Sequence, residues 1–311
     1  MGISPISAMS IRMKARYDKS YSGLTYLVKL NLALSSPMPQ NGSALKAEVV
    51  EELTRLGSTL VGFAPSSRWA DDGEVPPGYR PNAIWPLAKT VIVAGVPMLL
   101  PIVESTPSIN YQEMYNASNV LLDQIAFRLS LFLNGRGFAS IPIPRDGYGN
   151  LDILLKKMPA SFSHVYAGKY AGLGTIGFSH NLINPQFGPR ARYVSVFTAA
   201  EIDGDPVISK DLCKNCKMCA RLCPAEALSA SADRLQAEFD AVACTKHHQL
   251  LVSQSRWPCG VCLKVCPIGE DRKLYRRTNV AEYVREAEVL RADPQDARYR
   301  HLTHLRTHGS V

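Results

Sequence analysis

Cys213-Lys-Asn-Cys216-Lys-Met-Cys219-Ala-Arg-Leu-Cys223-Pro224 opens a window that continues through a lone Cys244 to Cys259-Gly-Val-Cys262-Leu-Lys-Val-Cys266-Pro267. All 8 cysteines of the 311-residue chain lie in this window. Two iron–sulfur clusters of four irons each require as many thiolates, so none is left over. The C-x2-C-x2-C-x3-C-P spacing is a ligand spacing rather than a disulfide framework, which implies a reducing compartment. Zinc held by four of the cysteines is the other metal reading.

In bacterial two-cluster ferredoxins the fourth cysteine of such a run, the one before proline, ligates the other cluster. By that rule Cys213, Cys216, Cys219 and Cys266 hold one 4Fe–4S cluster, and Cys223, Cys244, Cys259 and Cys262 hold the second. Cys244 stands far ahead of Cys259, so Thr245 to Pro258 is expected to be an inserted loop. Pro224 to Leu228 is expected to be a short helix.

Outward from this window, 46% hydrophobic and 20% charged residues describe a folded chain rather than a disordered one. A net charge of +8 favours anionic partners: a phosphate-bearing cofactor, an acidic redox protein or RNA. The first twenty residues hold Arg12, Lys14, Arg16, Asp18 and Lys19 without an apolar core or twin-arginine pair, and no apolar run reaches the roughly 20 residues of a membrane span. A cytoplasmic protein is expected.

Ser43 to Leu56 reads as a helix with Ser43 at its N-cap and Leu45, Val49, Leu53 and Leu56 on one face. Thr59–Ala64, Thr90–Val96, Phe138–Ile143 and Tyr193–Thr198 read as strands. Ser66 to Trp85 reads as a loop. Tyr111 to Asn134 is the longest helical pattern, with Val120, Leu121, Ile125, Leu129 and Phe132 as its apolar face. Pro144-Arg-Asp-Gly-Tyr-Gly149 is a turn-rich loop. Asp152–Lys157, Phe162–Tyr170 and Val280–Ala292 are further helices, and a basic tail with solvated His301, His304 and His308 follows.

Before the cysteines stands His164-Val-Tyr-Ala-Gly-Lys-Tyr170, running into Gly172, Gly174 and Gly177. Closely spaced glycines allow backbone to approach a flat ligand, or simply make a tight turn. The stretch AGLGTIGFSHNLINPQFGPRARYVSVFT (171–198), followed by the two cysteine runs, resembles the cobalamin-dependent iron–sulfur reductases, namely the epoxyqueuosine reductases of tRNA maturation and the reductive dehalogenases. The resemblance covers roughly residues 43–270.

It implies an α+β protein: an N-terminal extension (1–42), a nitroreductase-like α/β domain holding base-off cobalamin (43–205), a ferredoxin-like two-cluster domain (206–275), and a C-terminal helix with a basic tail (276–311). It further implies a ferredoxin or flavodoxin as electron donor and reductive cleavage of a C–O or C–halogen bond in a small molecule. Gly172, Gly174, Gly177, Asn184 and Arg190 are the expected cofactor contacts. Arg190 and Arg192 could also pair with acids of the cluster segment.

The aspartate that epoxyqueuosine reductases carry upstream of the glycines has no counterpart in Lys157-Met-Pro-Ala160, so the proton donor must differ. His164, Tyr166 and Tyr170 are the nearest proton-bearing side chains. Tyr111 and Tyr115 could line the pocket, and His247 and His248 could edge a cluster. A tRNA-modifying reductase with an altered acid and a non-catalytic electron carrier are the alternatives.

Overall fold

The computed structural model describes residues 42–71, 73–157, 160–231 and 234–310, apart from the side chain of Asp71, and these residues belong to one compact unit. The expected extension at 1–42 lies outside them save for Gly42. No helix among the described residues is long and apolar enough to cross a membrane.

The architecture is mixed α/β. Its centre is a four-stranded antiparallel sheet in the order β1 (Leu60–Pro65), β2 (Thr90–Pro97), β6 (Ala191–Thr198), β3 (Ser140–Ile143). Two short strands, β4 (Thr175–Ile176) and β5 (Leu182–Ile183), pair separately. The central strand β2 is an almost unbroken β-branched run because both its faces are covered. Side chains alternate across it. Ile92, Ala94 and Val96 join one core with Leu45, Val49 and Leu53 of α1 (Gly42–Arg55) and with Leu122, Ile125 and Leu129 of α2 (Ile109–Gly135). Val91 and Val93 join the opposite core with Trp69, Phe162, Ala167 and Tyr170, the last two from α3 (His164–Tyr170).

Ser108 caps α2, its hydroxyl accepting from the Tyr111 amide at 3.2 Å. The buried face of α2 is rotated from the one read in the sequence: Leu122, Ala126 and Leu133 point inward, while Val120 is 56% exposed. Ser43 lies within α1 rather than capping it. Ser66 to Trp85 contains three short helical turns, Arg68–Asp71, Pro77–Tyr79 and Pro81–Ile84.

Two expectations for the cysteine segment are corrected. Residues 224–225 form a turn, Glu226 follows at a positive φ of 50°, Leu228 begins a two-residue strand, and the helical turn is Met218–Arg221. The expected loop after Cys244 is largely the helix α4 (Ala241–Ser253), which Asp240 caps by accepting from the Ala243 amide. Cys244 therefore sits in its first turn. At the C-terminus, α5 (Ala281–Ala292) and α6 (Arg300–Thr307) pack onto the cysteine segment through buried polar contacts. Glu286 binds Lys264 and Arg306, each at 2.7 Å, and Tyr283 bridges Arg272 and Glu104. His301, His304 and His308 are exposed.

Candidate redox site

The eight thiols are all free, and electrostatic reach sorts them into two neighbourhoods. Cys219 feels Cys213, Cys216 and Cys266. Cys259 feels Cys244 and Cys223, and Cys262 feels Cys259 and Cys244. Cys262 also feels Cys219, which joins the two groups. Among the described residues no three His, Cys, Asp or Glu side chains stand close enough to hold a single ion. A tetrahedral zinc site would draw sulfurs to within about 4 Å of one another. Backbone amides of Ala220, Val261 and Ile268 bond Cys219, Cys259 and Cys266, and the amide of Ala227 points at the Cys223 sulfur at 3.4 Å. Burial pushes the Cys219 thiol up to about 11 and the Cys259 thiol up to about 12. Thiolates form here when a metal supplies the compensating positive charge.

The two neighbourhoods differ in setting. Cys216 is exposed, and its group edges a small cavity of about 20 Å³ with Lys214 and Lys217. Cys223, Cys244, Cys259 and Cys262 instead border, together with Cys219, a partly open cavity of about 340 Å³, walled by Tyr111 and Tyr115 from α2, Arg192 from β6, and Trp257. Cavities of about 570 and 270 Å³ adjoin it, and all three share Asp146 and Tyr148 of the 144–149 loop. The Arg192 guanidinium stacks 4.1 Å over the Tyr115 ring and donates to Asp146 at 3.1 Å. Trp257 meets Tyr115 edge-on at 4.8 Å. Tyr111 packs on Gly260, where a Cβ would fall 2.6 Å from its ring; with φ at +68° this position suits glycine alone. Among the described residues Arg192 Nε, Trp257 Nε1 and His247 Nε2 are buried without a hydrogen-bond partner, and Arg145 Nε meets only Asp146, at 3.5 Å. Such groups call for a ligand or water.

The residues read from the sequence fall differently. His164 borders the outer cavity, but Ser195 Oγ at 2.8 Å and the Pro144 carbonyl at 2.9 Å engage both ring nitrogens. Burial lowers its pKa to about 4, so it is neutral at pH 7. Tyr170 is core, edge-on to Trp69, and Tyr166 packs beside it. Neither borders the three cavities.

The glycines face backbone rather than open space. A Cβ at Gly172 would meet the Pro206 carbonyl at 2.3 Å, one at Gly174 the Ile183 carbonyl at 2.1 Å, and one at Gly177 the Ile183 side chain at 2.3 Å. Asn184 closes the same turn, donating to the Leu173 carbonyl at 2.7 Å and accepting from the Gln186 amide at 2.8 Å. Arg190 is fully buried; it grips Asp271 with two bonds of 2.7 Å and donates to the carbonyls of Leu263, Cys266 and Ile268. These residues bind the cysteine segment to the α/β layer. Tyr148, Asp146 and Trp257 were not singled out from sequence. The available signal was a glycine-flanked tyrosine beside Arg145-Asp146 in a loop that leaves a strand.

An α/β layer joined to a paired-thiol segment defines a class of iron–sulfur proteins, and residues 206–229 match the model for a 4Fe-4S binding domain. Particular relatives narrow the comparison. The chain is similar to the tetrachloroethene reductive dehalogenase of Desulfitobacterium hafniense, 26% identical over 269 residues, covering 81% of this chain and 44% of that protein. It is 32% identical over 117 residues to the enzyme of that name from Sulfurospirillum multivorans, covering 31% of this chain and 22% of the relative. Among solved structures it matches the catabolic reductive dehalogenase NpRdhA in complex with 3-bromo-4-hydroxybenzoic acid, with TM-score 0.59 and 21% identity, covering 89% of this chain and 39% of that one. The epoxyqueuosine reductase of Streptococcus thermophilus follows at TM-score 0.49 and 16% identity, covering 72% of this chain and 66% of that one. The chain thus spans less than half the length of the dehalogenases it matches.

Proposed function

We propose that this chain is the core of a corrinoid-dependent reductase. Its nitroreductase-like layer (43–205) would hold base-off cobalamin, its ferredoxin-like segment (206–275) two 4Fe–4S clusters, and residues 276–311 would brace that segment. The observation that carries this reading is the shared cavity: five cysteines, Cys219, Cys223, Cys244, Cys259 and Cys262, and the wall of Tyr111, Tyr115 and Arg192 border one space.

The fit to a corrinoid rests on chemistry. Aromatic walls suit a broad flat macrocycle, and the donors of Arg192 and Trp257 that lack a hydrogen-bond partner among the described residues suit its amide and phosphate oxygens. When bound, the corrinoid supplies a reducing cobalt centre for cleavage of a C–halogen or C–O bond. The net change is R–X + 2e⁻ + H⁺ → R–H + X⁻, with the electrons drawn from ferredoxin or flavodoxin through the clusters.

The chain must furnish the proton. Tyr111 and Tyr115 are buried, whereas Tyr148 is half-buried where the three cavities meet. A donor that is recharged every turnover needs a path to solvent, which assigns the role to Tyr148. Burial raises its pKa, so the phenol stays protonated at neutral pH, while Arg192 nearby favours its ionised form and eases release.

Anaerobic reconstitution with iron, sulfide and cobalamin tests the reading. A stoichiometric cob(II)alamin electron paramagnetic resonance signal is expected, and a protein that takes up iron but no corrinoid would refute it. In Tyr148→Phe, cobalamin binding should persist while turnover of a halogenated phenol falls about 10²–10⁴-fold.

A further inference from the structure

The two cysteine groups differ in exposure, and lysines flank the more exposed one. Cys216 is exposed, and Lys210, Lys214 and Lys217 are exposed on the same segment. Among the described residues none of these three lysines makes an ion pair. Lys214 and Lys217 border the cavity of the first cysteine group directly. Lys217 is held at a φ of +57° before the Met218–Arg221 turn, which fixes its backbone beside the sulfurs. The segment's other charges are Arg221, near Glu288 at 3.9 Å, and the exposed acids Asp211 and Glu226. From Lys210 to Glu226 the sum is four basic against two acidic side chains.

We infer that this lysine collar is the docking surface for an acidic one-electron carrier protein, which delivers electrons at the Cys216 edge of the first cluster. The inference rests on the two-cluster reading above and adds the entry face and the partner's charge. Electron transfer slows steeply with distance, so a carrier must reach the exposed edge. The four thiols of the second group are each only partly exposed, whereas Cys216 is exposed. A transient redox contact is small, so steering by charge matters more than buried area. Each delivery oxidises the carrier by one electron and reduces a cluster by one; two deliveries supply one bond cleavage.

The test is stopped-flow reduction of the iron-loaded protein by a reduced acidic flavodoxin, read as bleaching of cluster absorbance with neither corrinoid nor substrate present. Failure of the corrinoid reading therefore leaves this readout intact. In wild type the second-order rate constant should fall as salt rises. In Lys210→Glu/Lys214→Glu/Lys217→Glu it should drop about 10–100-fold at low ionic strength. Reduction by an uncharged photoreductant should be equal in the two proteins. Should the triple variant load less iron, the three single Lys→Gln variants carry the test, each slowing reduction about 2–5-fold. An unchanged rate with flavodoxin, or an equal slowing with the photoreductant, overturns the inference. So does a low-salt association with tRNA that the variant loses while its flavodoxin rate stays intact.

Discussion

The two cysteine groups are built from one kind of side chain and meet at Cys219, yet differ in most of what surrounds them. One opens on solvent through Cys216 and is flanked by lysines; the other backs onto tyrosines, a tryptophan and an arginine with an unpartnered nitrogen. Identical ligands in unlike surroundings imply unlike tasks, because potential and access are set by burial, charge and hydrogen bonding around the sulfurs. The more exposed group is suited to receive electrons and the other to pass them to whatever fills the cavity.

The comparison is broken most directly at the ligands. Cys213→Ser and Cys262→Ser should each lower iron from about eight to about four per chain. Cys213→Ser should abolish reduction by flavodoxin yet leave a cluster that small reductants reach. Cys262→Ser should leave the first cluster reducible and cut electron flow to the cavity. Iron analysis and redox titration of each variant decide this; equivalent phenotypes would erase the distinction between the groups.

A second contrast lies between two arginines one strand-step apart. Arg190 is fully buried on Asp271, itself 7% exposed, so Arg190→Ala strands a carboxylate and should cost about 3–5 kcal/mol in urea denaturation. Arg192 pairs with Asp146, which is 23% exposed and has Arg145 within 3.5 Å as a second partner. Arg192→Ala should cost about 1 kcal/mol or less and act instead on ligand affinity in the cavity. Equal losses of stability in the two variants would mean that the cavity arginine is as structural as its neighbour.

Much of this was legible in the sequence. The β-branched run at 90–97 could only be a buried strand, and Leu45, Val49 and Leu53 mark the buried face of the first helix. The expectation that Arg190 pairs with an acid of the cysteine segment matches its grip on Asp271. The polar centre was harder, because local pattern cannot say which way a turn faces. Gly172, Gly174 and Gly177 look suited to a flat ligand, yet their bare faces are filled by the carbonyl of Pro206 and by Ile183. Residues 245–258 read as an insert because cysteine spacing does not encode the helix that Asp240 starts. Tyr148 reaches the cavities only through the fold of a loop, which periodicity does not encode.

His164 offers the finest test, since sequence proximity and structure give it opposite roles. As a proton donor it would need a pKa near neutrality and a free ring nitrogen. The fold instead seals both nitrogens and holds the pKa near 4, against an ordinary value of 6.5. Between these two values the unfolded chain binds a proton that the folded chain does not. Stability from His164 is therefore complete above pH 6.5, falls as pH drops toward 4, and is absent below that. The full difference amounts to roughly 3 kcal/mol, most of it reached by pH 4.5. Carboxylates titrate in the same range, so the measurement is the gap between wild type and His164→Asn. Asparagine can keep a bond to Pro144 or Ser195 but cannot titrate. Urea denaturation at pH 7.5 and 4.5 should show wild type losing about 2–3 kcal/mol more than the variant. Parallel losses, together with an activity profile that loses its acid limb in the variant, would return the proton to His164 and take it from Tyr148.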